Sequence, residues 1–162
     1  MHCIYTALPA PRSHTLILGS LPGDTSLRLG QYYAGPRNQF WPIIESVYGQ
    51  SLGVPYDERI AFLRSKRLAL WDVLHSAQRE GSLDGAIRDA VPNDFGAFFT
   101  RYPSIRSVLL AGGACERAWC KLKFAPAGVR VIAVPSTSAI PGKNVKTLAE
   151  KIAIWKDALL RA

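Results

Sequence analysis

The segment GSLPGDTSLRLGQYYAGPRNQFW, residues 19–41, contains the features that decide how this chain folds and what it does. It follows the apolar run TLIL, residues 15–18, which predicts a short buried strand, and a helical pattern begins at Asn38. Polar and aromatic residues are therefore gathered where a strand leads into a helix, which is where open α/β sheets bind ligands. Packing requires few of these residues, so the segment points to function.

The remainder of the chain alternates strand and helix patterns. The predicted strands cover residues 15–19, 68–74, 107–111 and 129–134. The predicted helices cover residues 38–48, 55–66, 92–102, 112–121 and 143–160. Four apolar strands separated by helices predict a three-layer α/β/α fold with a central four-stranded parallel sheet. Right-handed crossovers place the loops that follow these strands along one edge, so we expect the cleft there.

Length and charge narrow the class of protein. A chain of 162 residues without an internal repeat predicts a single domain, residues 1–162. Lys and Arg number 20 against 12 Asp and Glu, which gives a net charge of +8. A surplus of this size favours a polyanionic partner such as nucleic acid. A basic surface without a partner is the alternative that charge by itself leaves open.

The cysteines and the apolar runs exclude several other classes. Cys3, Cys115 and Cys120 form no CxxC pair and no zinc spacing, and three thiolates are too few for a four-cysteine iron–sulfur cluster. The first fifteen residues lack the apolar core of a signal peptide, and no run approaches the length of a membrane span. We therefore expect a soluble, cytoplasmic protein with reduced thiols and no metal site.

The opening segment holds three candidate binding features. The turn Gly19–Gly23 can aim backbone N–H groups at a ligand, although it lacks the phosphate-binding GxxxxGK[ST] pattern and an ordinary tight turn is the alternative. The Tyr32-Tyr33 pair can stack on a flat ring or belong to the core. Asn38 is either a helix N-cap or a side chain that donates and accepts at once and so holds a water or a base edge.

Polar residues also follow the second predicted strand. Asp72 ends that strand, where an unpaired buried carboxylate would be costly, so it is either a structural hydrogen-bonding group or a functional one. His75 is interpreted as a surface or supporting residue because no other metal-ligand type accompanies it. The same predicted loop contains Arg79, Glu80, Ser82 and Asp84.

The loop after the fourth predicted strand favours contact with DNA. Ser136, Thr137 and Ser138 supply three consecutive hydroxyl groups. Ile140 and Pro141 are apolar residues in a loop, which is unusual unless they pack or wedge. Lys143 and Lys146 lie at the predicted start of the last helix, where a cation opposes the helix dipole unless an anion is near. A solvated helix start is the alternative interpretation.

These motifs together resemble the uracil-DNA glycosylase superfamily, most closely its hypoxanthine-DNA (deoxyinosine) glycosylase branch, over nearly the whole chain. The first motif is GSLPG at 19–23, extended by the Tyr-Tyr pair and by PRNQFW at 36–41. The middle motif is LWDVL at 70–74, followed by REGSLD at 79–84, and the last is PSTS at 135–138. The combination is specific, although each piece taken singly is not.

The resemblance implies a uracil-DNA glycosylase-like fold and a monofunctional enzyme without a cofactor. Such an enzyme flips a deaminated base out of DNA and hydrolyses its N-glycosidic bond in base excision repair. Asn38 would be the catalytic residue, Tyr33 would stack on the base, and the protein would act as a monomer. The implied substrate-binding residues are Ser20, Leu21, Pro22, Gly23, Asp24, Tyr33, Phe40 and Asp72. The implied DNA-binding residues are Ser136, Thr137, Ser138, Ile140, Pro141 and Lys143.

Two departures from related enzymes bear on the substrate. Mismatch-specific members of the superfamily read GINPG and use that Asn to position water, whereas this chain has Leu21 there. The His of the uracil-specific HPS motif is also absent from Ser136-Thr137-Ser138. The resemblance therefore implies hypoxanthine as the substrate in preference to uracil. A uracil or mismatch-specific glycosylase and a non-catalytic basic nucleic-acid-binding module are the alternatives.

Overall fold

The computed structural model describes residues 2–3, 9, 11–78, 87–142 and 144–162. The strands are β1 His2–Cys3, β2 Thr15–Gly19, β3 Leu68–Asp72, β4 Leu74–Gln78, β5 Arg88–Pro92, β6 Ser107–Ala111 and β7 Arg130–Val134. The helices are α1 Asp24–Leu29, α2 Phe40–Tyr48, α3 Tyr56–Ser65, α4 Phe95–Arg101, α5 Gly113–Lys121 and α6 Leu148–Leu160. No helix in the described ranges is long and apolar enough to cross a bilayer.

Strands β2, β3, β6 and β7 form the predicted four-stranded parallel sheet. Their order is β3-β2-β6-β7, with Gly19 opposite Asp72 and Leu18 opposite Leu110. The chain moves from β2 outward to β3 on one side, and then to β6 and β7 on the other side. The direction of winding therefore reverses between β2 and β6, which is the position where doubly wound sheets bind ligands.

Two hydrophobic cores cover the two faces of this sheet. Alternate residues of a strand point to opposite faces, so Ile17 packs in a cluster with side chains of α2, α3 and α6. Its neighbours Leu16 and Leu18 pack in the other cluster, with side chains of α4 and α5. Both clusters contain side chains with no exposed surface; in the cluster of Ile17 these include Trp155 and Phe40. The result is the predicted three-layer α/β/α arrangement.

The second predicted strand is shorter than expected, and a small antiparallel sheet follows it. β3 ends at Asp72, and the Val73 N–H then donates to the Gly19 carbonyl at 2.9 Å. The chain continues directly into β4, which lies between β1 and β5 in a three-stranded sheet. The predicted polar loop after this strand is therefore wrong in its first part. Pairing with strands distant in sequence decides the conformation of β4, and its own polar residues do not reveal that pairing.

Two helices begin three or more residues later than predicted, and one further helix was not predicted. Pro92 ends β5, and α4 begins later, where the Asp94 side chain accepts a hydrogen bond from the Ala97 N–H at 2.9 Å. α6 begins at Leu148 after a capping box of Thr147 and Glu150, so Lys146 lies before the helix and not in its first turn. Helix α1, within the segment predicted as a polar loop, was not expected.

Candidate active site

A cavity of about 340 Å³ lies at the carboxyl edge of the parallel sheet, where the sequence predicts the cleft. Gly19, Asp72 and Ala111, which end three of the strands, line it together with Ser136, which follows the fourth. The other lining residues lie in the ranges 20–23, 25–26, 32–33, 35–38 and 137–140. The volume is in the range of pockets that hold small organic ligands.

Gly19 allows β2 to approach the Asp72 side chain closely at the inner end of the cavity. A Cβ at position 19 would lie 2.6 Å from Asp72 Oδ1 and 3.7 Å from the Tyr33 hydroxyl, so any larger residue would displace the carboxyl group. Asp72 is 3% exposed, and its main-chain oxygen accepts a hydrogen bond from Asn93 Nδ2 at 2.9 Å. The strand end thus holds a carboxyl group at the base of the cavity.

Tyr33 brings an aromatic ring to the cavity wall. Its ring stacks on Phe40, with centroids 4.0 Å apart and an angle of 15° between the planes. Phe40 is fully buried, and the rings of Trp41 and Trp155 pack edge-on against it. Tyr33 also has a φ of 55°, a left-handed conformation that is uncommon for a residue other than glycine. Because the core supports one face of the ring, a flat ligand can stack on the other.

The two tyrosines remain protonated at neutral pH. Burial raises the pKa of both Tyr32 and Tyr33 well above the usual value, and the negative charge of Asp72 raises both pKa values further. A side-chain hydrogen bond with Asp72 adds to the effect at Tyr32. A phenol that keeps its proton is a hydrogen-bond donor beside a carboxylate. Two phenol donors therefore lie beside the Asp72 carboxyl group at the base of the cavity.

Asn38 lines the cavity and also holds the beginning of α2. Its Oδ1 atom accepts a hydrogen bond from the Phe40 N–H at 2.9 Å, and its own N–H donates to the Gly35 carbonyl at 2.9 Å. Gln39 is the N-cap of α2 and makes no side-chain cap hydrogen bond, so the N-cap interpretation of Asn38 is wrong, although Asn38 does hold the first N–H of the helix. A carboxamide oxygen has a second lone pair and the amide nitrogen has two N–H donors, so the same side chain can also bind a water or a base.

The serine loop, residues 136–140, forms the opposite wall. The Ser136 hydroxyl accepts a hydrogen bond from the Ser138 N–H, and the Ser138 hydroxyl accepts one from the Ile140 N–H, both at 3.2 Å. Gly112, with a φ of 91°, packs against this loop, since a Cβ there would lie 2.8 Å from Ser136 Cβ. The loop is thus shaped by its own hydroxyls, and Ile140 is 48% exposed at the rim.

Lys151 joins the serine loop to the segment that contains Asn38. Although it is a lysine, it is only 2% exposed, and Nζ donates at 2.7 Å to both Gln39 Oε1 and the Ser138 carbonyl. The Gln39 N–H donates to the Thr137 carbonyl at 2.8 Å. Burial lowers the pKa of this amine. The three hydrogen bonds fix the two walls of the cavity relative to each other.

Several residues predicted from the sequence occupy other positions. Asp24 begins α1 and Pro141 lies in the loop; both are exposed, and neither lines the cavity. Phe40 lies behind Tyr33 instead of contacting the cavity, and Thr137 is 3% exposed, so its hydroxyl is not presented to solvent like that of Ser136. His75 is exposed on β4. Predictions for Lys143 and for Arg79, Glu80, Ser82 and Asp84 lie outside the described residues.

Two parts of the site were not predicted. Thr25 and Ser26 line the cavity from α1, and the Ser26 hydroxyl accepts a hydrogen bond from the Ala34 N–H at 3.1 Å. The sequence contains no clear signal for them because α1 is short. Lys151 does have a signal, since it lies three residues after Leu148 and four before Trp155, on the apolar side of the predicted helix. A cation at that spacing indicates a buried partner.

The chemistry available in the cavity is acid–base, hydrogen-bonding and aromatic. A carboxylate, two phenol donors and a carboxamide face one volume, and an aromatic ring forms part of its wall. Within the described part of the chain no three His, Cys, Asp or Glu side chains gather as metal ligands would. The buried Cys115 thiol donates a hydrogen bond to the Leu18 carbonyl and so has a packing role. The arrangement suits the binding of a flat heterocycle with polar edges.

Comparison with known proteins identifies the family to which this chain belongs. Residues 7–159 match the Uracil DNA glycosylase superfamily, and the chain belongs to that superfamily. A hypoxanthine DNA glycosylase of Methanosarcina barkeri is 41% identical over 147 residues, 90% of each chain. A hypoxanthine DNA glycosylase of Methanosarcina acetivorans is 37% identical over 109 residues, which are 67% of this chain and 69% of that one.

A solved structure extends the likeness to three dimensions. It is the solution NMR structure of a Methanosarcina acetivorans protein assigned provisionally to the uracil DNA glycosylases. It superposes with a TM-score of 0.83 at 29% identity, covering 99% of this chain and 97% of that chain. The three-layer fold inferred from the sequence is therefore the fold of this superfamily.

Proposed function

We propose that the protein is a DNA glycosylase that removes hypoxanthine from deoxyinosine in DNA by hydrolysing the N-glycosidic bond. The observation that carries the proposal is the convergence of Asp72, Tyr33 and Asn38 on one cavity at the switch point of the sheet. The similarity to two hypoxanthine DNA glycosylases supports the choice of base. Water attacks C1′ of the sugar, and its hydroxyl group remains on C1′. The proton released from the water balances the negative charge of the departing base.

The Asp72 carboxylate provides a physical reason for selecting deaminated bases. Adenine has a hydrogen-bond acceptor at N1, and deamination to hypoxanthine converts N1 into an N–H donor. The same change occurs at N3 when cytosine becomes uracil. A carboxylate only accepts hydrogen bonds, so it attracts the deaminated edge and repels the lone pair of the normal one. Tyr32 and Tyr33 hold their protons beside it.

Tyr33 and the serine loop then account for holding the nucleotide outside the helix. Stacking of a base on an aromatic side chain contributes about 1–3 kcal/mol, comparable with the few kcal/mol that unstacking costs. Ile140, exposed at the rim, fills the space that the flipped base leaves. Ser136 and Ser138 bind the phosphates beside the lesion, and Pro141 extends this DNA contact along the loop; Lys143 is added to it on the sequence alone.

Asn38 orients the attacking water. Its oxygen is held by the Phe40 N–H, so the remaining lone pair and the amide N–H groups have a defined direction. An amide is not a base at neutral pH, and its contribution is therefore orientation and electrostatic stabilisation of the sugar cation. The backbone N–H groups of residues 20–24, apart from Pro22, which has none, stabilise the negative charge of the departing base.

A panel of duplexes tests the proposal. Purified protein is incubated with three substrates: a duplex that contains inosine, a duplex with uracil opposite guanine, and a single strand that contains uracil. Abasic sites are measured after alkaline cleavage. We expect rapid release from inosine and slow release from uracil. Preferential release of uracil would replace hypoxanthine with the uracil or mismatch alternative, and DNA binding without release from any substrate would make the protein a non-catalytic module.

The proposal also covers the domain organisation, the oligomeric state and the compartment of the protein. We infer that residues 1–162 form one glycosylase domain that acts as a monomer in the cytoplasm. Cys115 and Cys120 are free thiols, which suits a reducing compartment. Hydrolysis without a Schiff base is expected, so borohydride should trap no covalent complex with inosine-containing DNA. Size-exclusion chromatography with light scattering measures the mass; a stable dimer would contradict the monomer.

A further inference from the structure

Much of the positive charge of the chain lies away from the cavity, although the exposed Arg37 lines it. The segments that lead into the four parallel strands cover residues 11–14, 64–67, 101–106 and 121–130. Together they hold nearly half of the 20 Lys and Arg residues and none of the 12 Asp and Glu residues. Their cations are Arg12, Arg64, Lys66, Arg67, Arg101, Arg106, Lys121, Lys123 and Arg130, all of them exposed.

Backbone hydrogen bonds link four residues of these segments one after another across the amino edge of the sheet, where Arg130 lies opposite Ser107, next to Arg106. The His14 N–H donates to the Arg67 carbonyl at 2.8 Å, the Arg106 N–H to the His14 carbonyl at 2.8 Å, and the Arg130 N–H to the Arg106 carbonyl at 2.9 Å. Neighbouring strands lie about 4.8 Å apart, so the row extends roughly 14 Å. We call Arg67, His14, Arg106 and Arg130 the basic edge.

Within the part of the chain that the structure describes, the side-chain contacts of the basic edge include no acid. Arg67 Nη1 lies 3.5 Å from His14 Nε2, and Arg106 Nη1 donates to the carbonyl oxygens of Pro103 and Ile105. None of these partners carries a negative charge. Interactions with carbonyl groups instead hold the Arg106 side chain in place, which reduces the conformational entropy that an arginine loses when it binds a phosphate.

The basic edge and the cavity are at opposite ends of the same strands. β2 separates His14 from Ser20, and a five-residue strand is about 16 Å long. The cavity end carries both acids and cations, among them Asp72, Asp24 and Arg37, whereas the segments that form the other end carry no acid. The basic edge therefore contributes nothing to the contacts of a nucleotide bound in the cavity.

We propose that the basic edge is a second DNA-binding surface, which holds a separate duplex segment without regard to sequence while the cavity engages the lesion. Duplex DNA carries about one charge per 1.7 Å of its axis, so a segment as long as this row presents about eight phosphates. Guanidinium groups pair with phosphates through two hydrogen bonds, and three of the four residues are arginines. The choice of DNA as the polyanion rests on the proposed function.

A capture experiment tests the second surface directly. An inosine-containing duplex is fixed to beads, the protein is bound, and retention of a second, fluorescent duplex without inosine is measured as salt is varied. The variant Arg67→Gln/Arg106→Gln/Arg130→Gln is compared with the wild type and with Arg88→Gln/Arg117→Gln/Lys156→Gln. The latter removes the same charge from exposed positions on β5, α5 and α6.

The expected result is a loss of at least tenfold in retention of the second duplex for the basic-edge variant only. Each lost phosphate contact lowers the slope of log K against log salt by about 0.9, so a decrease of roughly 2 to 3 is expected. The variant Arg67→Lys/Arg106→Lys/Arg130→Lys should keep most of that slope, and thermal unfolding checks that every variant is folded.

Three outcomes would overturn the inference. They are unchanged retention by the basic-edge variant, an equal loss in the charge-matched variant, and binding of anionic lipid vesicles in place of DNA. Failure of the proposed function is distinguishable from these results. If the wild type releases no hypoxanthine but retains the second duplex through the basic edge, the proposed reaction is wrong and the second surface remains.

Discussion

The two edges of the parallel sheet are made by the same four strands and differ in almost every physical property. The carboxyl edge is concave and holds a buried carboxyl group, two protonated phenols and an aromatic ring supported by the core. The amino edge has a row of exposed cations without a nearby acid in the segments that form it. The distribution of positive charge therefore does not indicate where the proposed reaction site lies. Buried polar groups at the strand ends indicate it.

The physical reason for the difference is the environment of each group. Charges at the exposed edge are surrounded by water and salt, act over about 10 Å, and attract any polyanion. Groups in the cavity are desolvated, so each hydrogen bond is stronger and depends on the exact partner. The carboxyl edge is suited to recognising one base, and the amino edge to holding DNA of any sequence.

The largest effect is expected from Asn38→Ala. Loss of the water-orienting amide should reduce the single-turnover rate of hypoxanthine release by about 10²–10³-fold, while binding of the duplex is retained. The substitution also removes the hydrogen bond to the Phe40 N–H, which costs roughly 1 kcal/mol of stability. Asp94→Ala removes a comparable side-chain hydrogen bond from a backbone N–H at the start of α4, and it is the control. Release of hypoxanthine by Asn38→Ala at the wild-type rate would contradict the catalytic role proposed for Asn38 at the carboxyl edge.

The next effect in size is expected from Asp72→Asn. An amide of the same shape donates as well as accepts, so it no longer repels adenine N1. Loss of one charge-assisted hydrogen bond corresponds to about 10–100-fold in kcat/KM for inosine, and the preference for hypoxanthine over adenine should narrow. Competition between inosine and adenine substrates measures that ratio. An unchanged ratio would assign Asp72 to structural support only.

A smaller effect is expected from Lys151→Met. Removing the amine leaves Gln39 Oε1 and the Ser138 carbonyl without this donor, so the serine loop is no longer tied to the segment of Asn38. We expect a decrease of about tenfold in kcat/KM, comparable with the loss of one hydrogen bond from a charged donor. Lys156→Met, at an exposed position of the same helix, should have no effect. Equal losses in both variants would indicate a general effect of charge.

The smallest effect concerns alkaline stability. The pKa values of Tyr32 and Tyr33 are raised in the folded protein, mainly by burial, so the folded state keeps protons that the unfolded state loses near pH 10. Their contribution to stability is complete below that pH and declines as the pH rises further. Tyr33→Phe should make chemical unfolding less sensitive to pH above 10. A stability curve of unchanged steepness would show that Tyr33 does not titrate in this way.

Sequence patterns predicted the central sheet well because apolar runs leave few alternatives. Strands β2 and β6 have the predicted bounds, and β7 differs by one residue. Boundaries failed where distant contacts decide them. β4 forms because β1 and β5 pair with it, and Pro92 therefore ends a strand although proline at that position also suits a helix start.

The cavity was predicted in part, and the errors have specific causes. Motif positions such as Asn38, Tyr33 and Asp72 line it because residues at strand ends and in the following loops converge at the carboxyl edge. Phe40 was placed in contact with the substrate, although ring stacking on Tyr33 buries it completely. The apolar helix face identified Trp155 but not its neighbour Lys151; the spacing places this lysine on the buried side of the helix, but it does not indicate which groups are its partners.

The sequence by itself determined the class of fold, the order of its main strands and the set of polar residues available at strand ends. These follow from local periodicity and from the handedness of crossovers, which depend little on the rest of the molecule. Only the tertiary structure decided that Asp72 lies against Gly19, that Lys151 joins two walls, and that His14, Arg67, Arg106 and Arg130 form one row. Such contacts join residues far apart in the chain, and their distances depend on how the layers pack.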